Sequence, residues 1–213
     1  MIHAYDKTYL EKAQVVLGRM LDYAVYDLKY NVDDFFEMFI CTGYADKFGQ
    51  GDFALIAGRS GVELARAVIE AATEKHEETP PSYTSNRSPE YWAGWALAYY
   101  QWLTALSFRE IVNAIPINEI ICLYVPYHEM DIRQFCDRMS ELYKEKCPET
   151  NLKRYRTINN ITQAELSKQS GIPIRTIQQY EQRQKDINKA SAEYLIALSK
   201  ALNCAPESLI EKV

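Results

Sequence analysis

The chain's 213 residues can hold one large domain or two modest ones, and 47% hydrophobic with 25% charged residues suits globular rather than disordered structure. Neither a basic-then-apolar start nor a run of about 18 apolar residues is present, which argues against secretion or a membrane span and for a cytoplasmic protein. The net charge of −5 averages two unlike parts: residues 1–150 carry 14 Lys+Arg against 23 Asp+Glu, and residues 151–213 carry 10 against 6. A net of −9 on the body and +4 on the tail suits a tail that meets phosphate and a body that does not.

Residues 1–147 read as helical by pattern. Thr8 has the chemistry to cap a long first helix, with Leu10, Ala13, Val16, Leu17, Met20, Leu21, Ala24, Val25 and Leu28 as its apolar stripe. A short Phe-rich helix is expected over residues 33–40, and Ser60 can cap a third carrying Val62, Leu64, Ala65, Ala67, Val68 and Ile69. The polar stretch 73–87, with Pro80-Pro81, reads as a loop before Ser88-Pro89 opens the aromatic helix YWAGWALAYYQWL. Ser107-Phe-Arg-Glu110 is a capping box, and a last helix is expected over residues 129–146. Residues 118–124, NEIICLY, fit either a buried helix or a strand.

Chemistry is sparse in this part. The glycines of GQGDFALIAGRSG lack Walker spacing, so the segment is either a turn feeding a capped helix or an anion cradle at Ser60-Gly61 beside Arg59. Asp33-Asp34 reads as a helix-dipole complement more readily than as an acid pair. His3, His76 and His128 form no ligand motif, and the cysteines (41, 122, 136, 147, 204) are never spaced as CxxC. They read as buried small apolar residues, so no disulfide frame, metal site or cofactor is expected. The aromatics from Tyr91 to Trp102 either fill the core or line a pocket or partner groove. No nucleophile–base–orienter set is present, and no catalytic residue is expected.

Pro148 with Glu149-Thr150 marks the boundary of a second domain, residues 148–213, in which five helical segments follow at short spacing. The first covers residues 152–158 and stops at Asn159-Asn160, residues that tolerate the left-handed conformation. Thr162 and Glu165 make a T-x-x-E capping box for the second, to which Ile161, Ala164 and Leu166 bring apolar contacts, and which ends at Ser170-Gly171. The third follows Ile172-Pro173 and runs to about residue 182, with Ile174 and Ile177 able to turn inward. On it Arg175, Gln178, Gln179 and Gln182 share one face of long hydrogen-bonding side chains. Residues 191–202 bury Tyr194, Leu195, Leu198 and Leu202, and Pro206 opens a last short helix with Leu209 and Ile210.

The stretch from residue 152 to 211, with TQAEL, SG, TIQQYE and LSKALN, resembles the Xre-type (Cro-like, phage-repressor) helix-turn-helix family, from which it departs at Pro173 and Asn188. The resemblance implies an all-α fold: a helical N-terminal domain plus a five-helix repressor-like DNA-binding domain. It further implies that Ile174, Arg175, Thr176, Gln178 and Gln179 face base edges, Gln pairing with adenine and Arg with guanine. Gln163 matches a position that bonds a phosphate and buttresses the recognition helix, Arg183, Lys185 and Lys189 match phosphate-contacting positions, and Arg156 with Glu181 a structural pair. The segment SPEYWAGWALAYYQWLTALSF is similar to uncharacterised helical regions of antitoxin-like bacterial regulators.

The function expected is therefore a transcriptional regulator, a repressor, binding double-stranded DNA as a homodimer on a near-palindromic operator. The alternative is an antitoxin whose N-terminal domain neutralises a toxin while the C-terminal domain autoregulates the operon. In either case the acidic domain senses, oligomerises or binds a protein partner.

Overall fold

A computed structural model describes residues 3–82, 87–147 and 149–212, and among them every regular element is helical. The chain divides into two units, Met1–Lys146 and Cys147–Val213. The break expected at Pro148, and part of the loop expected over 73–87, lie outside the described residues.

The first unit is built on α1 (Leu10–Asp22), whose Ala13, Leu17, Met20 and Leu21 are fully buried. Thr8 does not cap it. Asp6 does the capping one turn earlier, accepting the Thr8 N–H at 2.8 Å and starting a 3-10 turn, Lys7–Tyr9, that runs into the helix. Nor does the α-helix continue to Leu28: residues Tyr23–Asp27 form a π turn, closed by Leu28 N–H to Tyr23 O at 3.1 Å. The widened turn rotates the stripe, so Ala24 stays buried whereas Val25 and Leu28 are only half-buried.

Asn31 then caps α2 (Val32–Cys41), accepting from the N–H groups of Asp33 and Asp34 at 2.9 and 3.3 Å. Both carboxylates lie in the first turn, where the helix dipole favours them. The glycine-rich segment is more structured than a turn. It holds α3 (Tyr44–Gly49) and α4 (Phe53–Ile56), the latter capped by Asp52. Ser60 begins α5 (Gly61–Thr73) with a full capping box, and its N–H and hydroxyl hold the Glu63 carboxyl below its ordinary pKa.

The aromatic helix is α6 (Pro89–Thr104), followed by α7 (Phe108–Ala114) behind the Ser107–Glu110 capping box. Residues 118–124 resolve to helix, within α8 (Ile117–Cys122) and the short α9 (Tyr124–Tyr127). The last helix of the unit, α10 (Ile132–Lys146), starts three residues later than its sequence suggests because Asp131 accepts the Arg133 N–H. Phe36, Phe39, Phe48 and Phe108 cluster with ring centroids 5.6 to 6.2 Å apart, closing the core between α2, α3 and α7. Cys136 is buried, but Cys41 and Cys122 are exposed, unlike the buried role expected for all the cysteines.

Two glycines let α1 and α6 cross in backbone contact. A Cβ on Gly94 would lie 2.7 Å from Leu17 O and 2.9 Å from the Gly18 Cα. One on Gly18 would lie 2.7 Å from Tyr91 O, so neither helix has room for a side chain at the crossing. The 74–82 segment is tied to α1 and its π turn. Arg19 pairs with Asp22 and Asp27 and donates to Ser82 O at 2.7 Å, while Tyr23 Oη and Arg66 Nη2 both donate to Thr79 O. A Gly94→Ala substitution should lower the stability of the protein by about 1–3 kcal/mol, because the helices must part to admit the methyl group. Urea unfolding monitored by tryptophan emission reads this, and an unchanged midpoint would mean that the crossing is not tight.

Candidate nucleic-acid interface

The second unit opens with α11 (Asn151–Ile158), capped by Thr150, and ends that helix at Asn160, which takes the left-handed conformation at φ 54°. A capping box of Thr162 and Glu165 starts α12 (Gln163–Ser170). Gly171, at φ 72°, turns the chain, and Ile172 and Pro173 lead into α13 (Ile174–Glu181). The turn is fastened from α12: Ser167 Oγ donates to Ile172 O at 2.6 Å and Ser170 Oγ to Leu166 O at 2.7 Å. After a 3-10 turn (Ile187–Lys189), α14 (Ala192–Ala201) and a 3-10 segment (Pro206–Leu209) complete the unit.

Leu152, Leu166, Ile172, Ile177, Tyr180, Ile187, Leu198, Leu202 and Leu209 form one core drawn from every segment. Ala164, expected to help fill it, is exposed on α12. Ile174 is 41% exposed rather than turned inward: it shares a side with Ile177 but stands in the first turn, at the helix's open end. Tyr194 and Leu195 are half-buried against the core.

With Ile177 and Tyr180 buried, the opposite side of α13 is presented outward. Arg175 and Gln182 are exposed there and Ile174 at the helix start, and Thr176, Gln178 and Gln179 are half-buried. These side chains combine an apolar contact, a guanidinium and amides, the kit that reads base edges in a major groove.

A buried carboxylate sets the angle of this helix. Glu181, whose side chain is 3% exposed, accepts from Arg156 Nε at 2.6 Å and from Arg156 Nη2 at 3.0 Å. Gln163 Nε2 donates to the same carboxylate at 2.8 Å, and Gln178 Nε2 donates to Gln163 Oε1 at 3.4 Å. Three helices thus share one anion, and the hydrogen bond to Glu181 raises the Arg156 pKa further above its ordinary value. Gln163 therefore lies inside the network, linking Glu181 to Gln178 on the outward face.

The cations expected on phosphate differ in placement. Lys185 is exposed and makes no ion pair among the described residues. Lys189 is 85% exposed, with Asp186 at 3.6 Å. Arg183 instead lies 3.3 Å from Glu211 Oε2, where it helps hold the chain's last turn. Glu211 also accepts the Asn151 N–H at 2.6 Å, and Asn188 accepts the Glu211 N–H at 2.9 Å. Sequence inspection missed Glu211, because its partners at 151, 183 and 188 are distant in the chain and share no spacing pattern with it.

The comparisons with known proteins bear on this unit alone. A helix-turn-helix family model matches residues 152–209, the stretch from the first buried leucine of α11 to Leu209. Residues 152–209 are a helix-turn-helix domain of the Xre type. No curated protein and no solved structure matches the chain. Helix-turn-helix domains bind DNA through the second helix of the motif, which here is α13.

Removing one partner of the buried pair should be costly, and removing both much less so. Arg156→Met is expected to lower stability by about 3–5 kcal/mol by stranding the Glu181 carboxylate, with Arg156→Met/Glu181→Met recovering most of that loss. Denaturant unfolding of the two variants measures the difference, and a double variant no more stable than the single one would show that the ions are not coupled.

Proposed function

We propose that the protein is a sequence-specific transcriptional regulator that binds a near-palindromic operator as a dimer. The observation that carries this reading is the outward face of α13, where Ile174 and Arg175 are exposed and Thr176, Gln178 and Gln179 half-exposed, on a helix anchored by buried Ile177, Tyr180 and Glu181. Bidentate pairing of Gln179 or Gln178 with adenine, and of Arg175 with guanine, supplies sequence preference. Lys185 and Lys189 supply affinity without preference, through phosphate. Gln163 acts by holding Gln178 and Glu181, and its Nε2 is committed to that contact at 2.8 Å.

A single recognition helix spans too few base pairs to select one site, which is the reason for the dimer. Two copies on half-sites about 34 Å apart, one helical turn, double the sequence read. The acidic unit has the charge to stay off DNA, since its 14 basic against 22 acidic residues repel phosphate. It is free to sense, oligomerise or bind a partner while the basic unit is engaged. Occupying a site beside a promoter excludes other proteins from it, so repression is the output we assign.

Binding to duplex DNA from upstream of the protein's own coding sequence, followed by fluorescence anisotropy, tests this. Gln179→Ala should weaken binding to the preferred site by about 1–3 kcal/mol while sparing scrambled DNA. Lys185→Ala should weaken both alike and reduce the salt slope by about one unit. Equal losses on both DNAs for Gln179→Ala would remove it from base readout, and no shift of any upstream fragment at low salt would count against regulation.

A further inference from the structure

The first unit carries a cavity of about 320 Å³ between the N-terminal half of α6, α9 and the start of α10. Its lining includes Trp92 and Trp95, one helical turn apart on α6, together with Tyr124, Tyr127 and His128. The rings fix one another. Trp92 meets Tyr124 edge-on at 5.7 Å and Phe135 at 5.2 Å, and His128 stacks on Tyr124 at 4.2 Å with its Nδ1 held 2.9 Å from Tyr124 O. Walls braced in this way need little ordering when a ring enters, and the volume lies at the small end of the range of about 300–1,000 Å³ that small-molecule sites occupy.

Charge chooses the ligand. In a unit with 22 acidic side chains, the basic groups lining this cavity are Arg87 and His128, and no carboxylate is among the lining residues. Aromatic faces attract cations, but Arg87 already lies over the Tyr91 ring, 4.5 Å from its centroid. A second cation there would meet that guanidinium, and the Glu129 carboxylate, 3.6 Å from His128 Nε2, is 86% exposed and outside the lining. Arg87 is exposed and makes no ion pair among the described residues, so its N–H edges are open to a carboxylate in the two-point geometry that guanidinium favours. We propose that this cavity binds a small aromatic carboxylate, its ring against the tryptophan and tyrosine side chains and its anion on Arg87. Binding here is a property of the first unit and stands whether or not the second unit acts on DNA.

Isothermal titration of the full chain with three probes of one shape tests this: 2-naphthoate, 2-naphthylmethanol and a naphthylmethyl-trimethylammonium salt. We expect one-site binding of the carboxylate, about tenfold or more tighter than the alcohol, and the weakest binding for the ammonium. Arg87→Gln should bring the carboxylate down to the alcohol's affinity, and Arg87→Lys should fall between, because a point charge replaces a planar fork. Arg59→Gln, outside the cavity, should change nothing. Absence of saturable carboxylate binding at millimolar concentration, tighter binding of the ammonium, or full affinity in Arg87→Gln would each overturn the proposal.

Discussion

The buried carboxylate of Glu181 is the contact on which the DNA-binding unit depends. A charge this well shielded from water is tolerable only while its hydrogen bonds are satisfied, and the donors come from α11 through Arg156 and from α12 through Gln163. The three helices are consequently held at fixed angles by an interaction with strict directional demands, which hydrophobic packing alone lacks. Gln178 is joined to the same network through Gln163, so the outward face of α13 inherits its position from the interior. Base readout requires side chains placed to within a fraction of an ångström. A unit of this size has few other means of securing that.

The first unit solves a different problem. It must pack a very aromatic helix against a long apolar one, and Gly18 and Gly94 permit backbone contact where bulky side chains would hold the two apart. Close crossing leaves the large rings of α6 to distribute themselves around the contact. Tyr100 and Trp102 are buried, whereas Trp92 and Trp95 stay half-exposed towards α9. The aromatic cavity lies beside these half-exposed rings, and Arg87 brings a guanidinium to its lining in a unit that is acidic as a whole.

Most helices were legible in the sequence because their signals are local. Ser60, Ser88, Ser107 and Thr162 announce helix starts through hydrogen bonds made within three residues, and Gly171 announces the turn between α12 and α13 through its positive φ. What escaped depends on distant partners or on small shifts of register. Asp6 displaced Thr8 as a cap because both residues have suitable side chains, and the π turn at Tyr23–Asp27 follows from the bonds of Tyr23, Asp27 and Arg19 to the 74–82 segment. On the candidate interface, the outward positions of α13 follow from helical spacing. The placement of Arg183 on Glu211 could not be foreseen, since it depends on where the chain's end returns to the domain.

The most direct measurement is the backbone amide spectrum of the full chain, titrated with a duplex selected by the protein from a random pool. We expect the largest shifts at residues 174–182, with smaller ones at 163 and around 185–189, and none in α1 or α6. Shifts centred on α14 or on the first unit, with α13 unmoved, would contradict its role as the recognition helix.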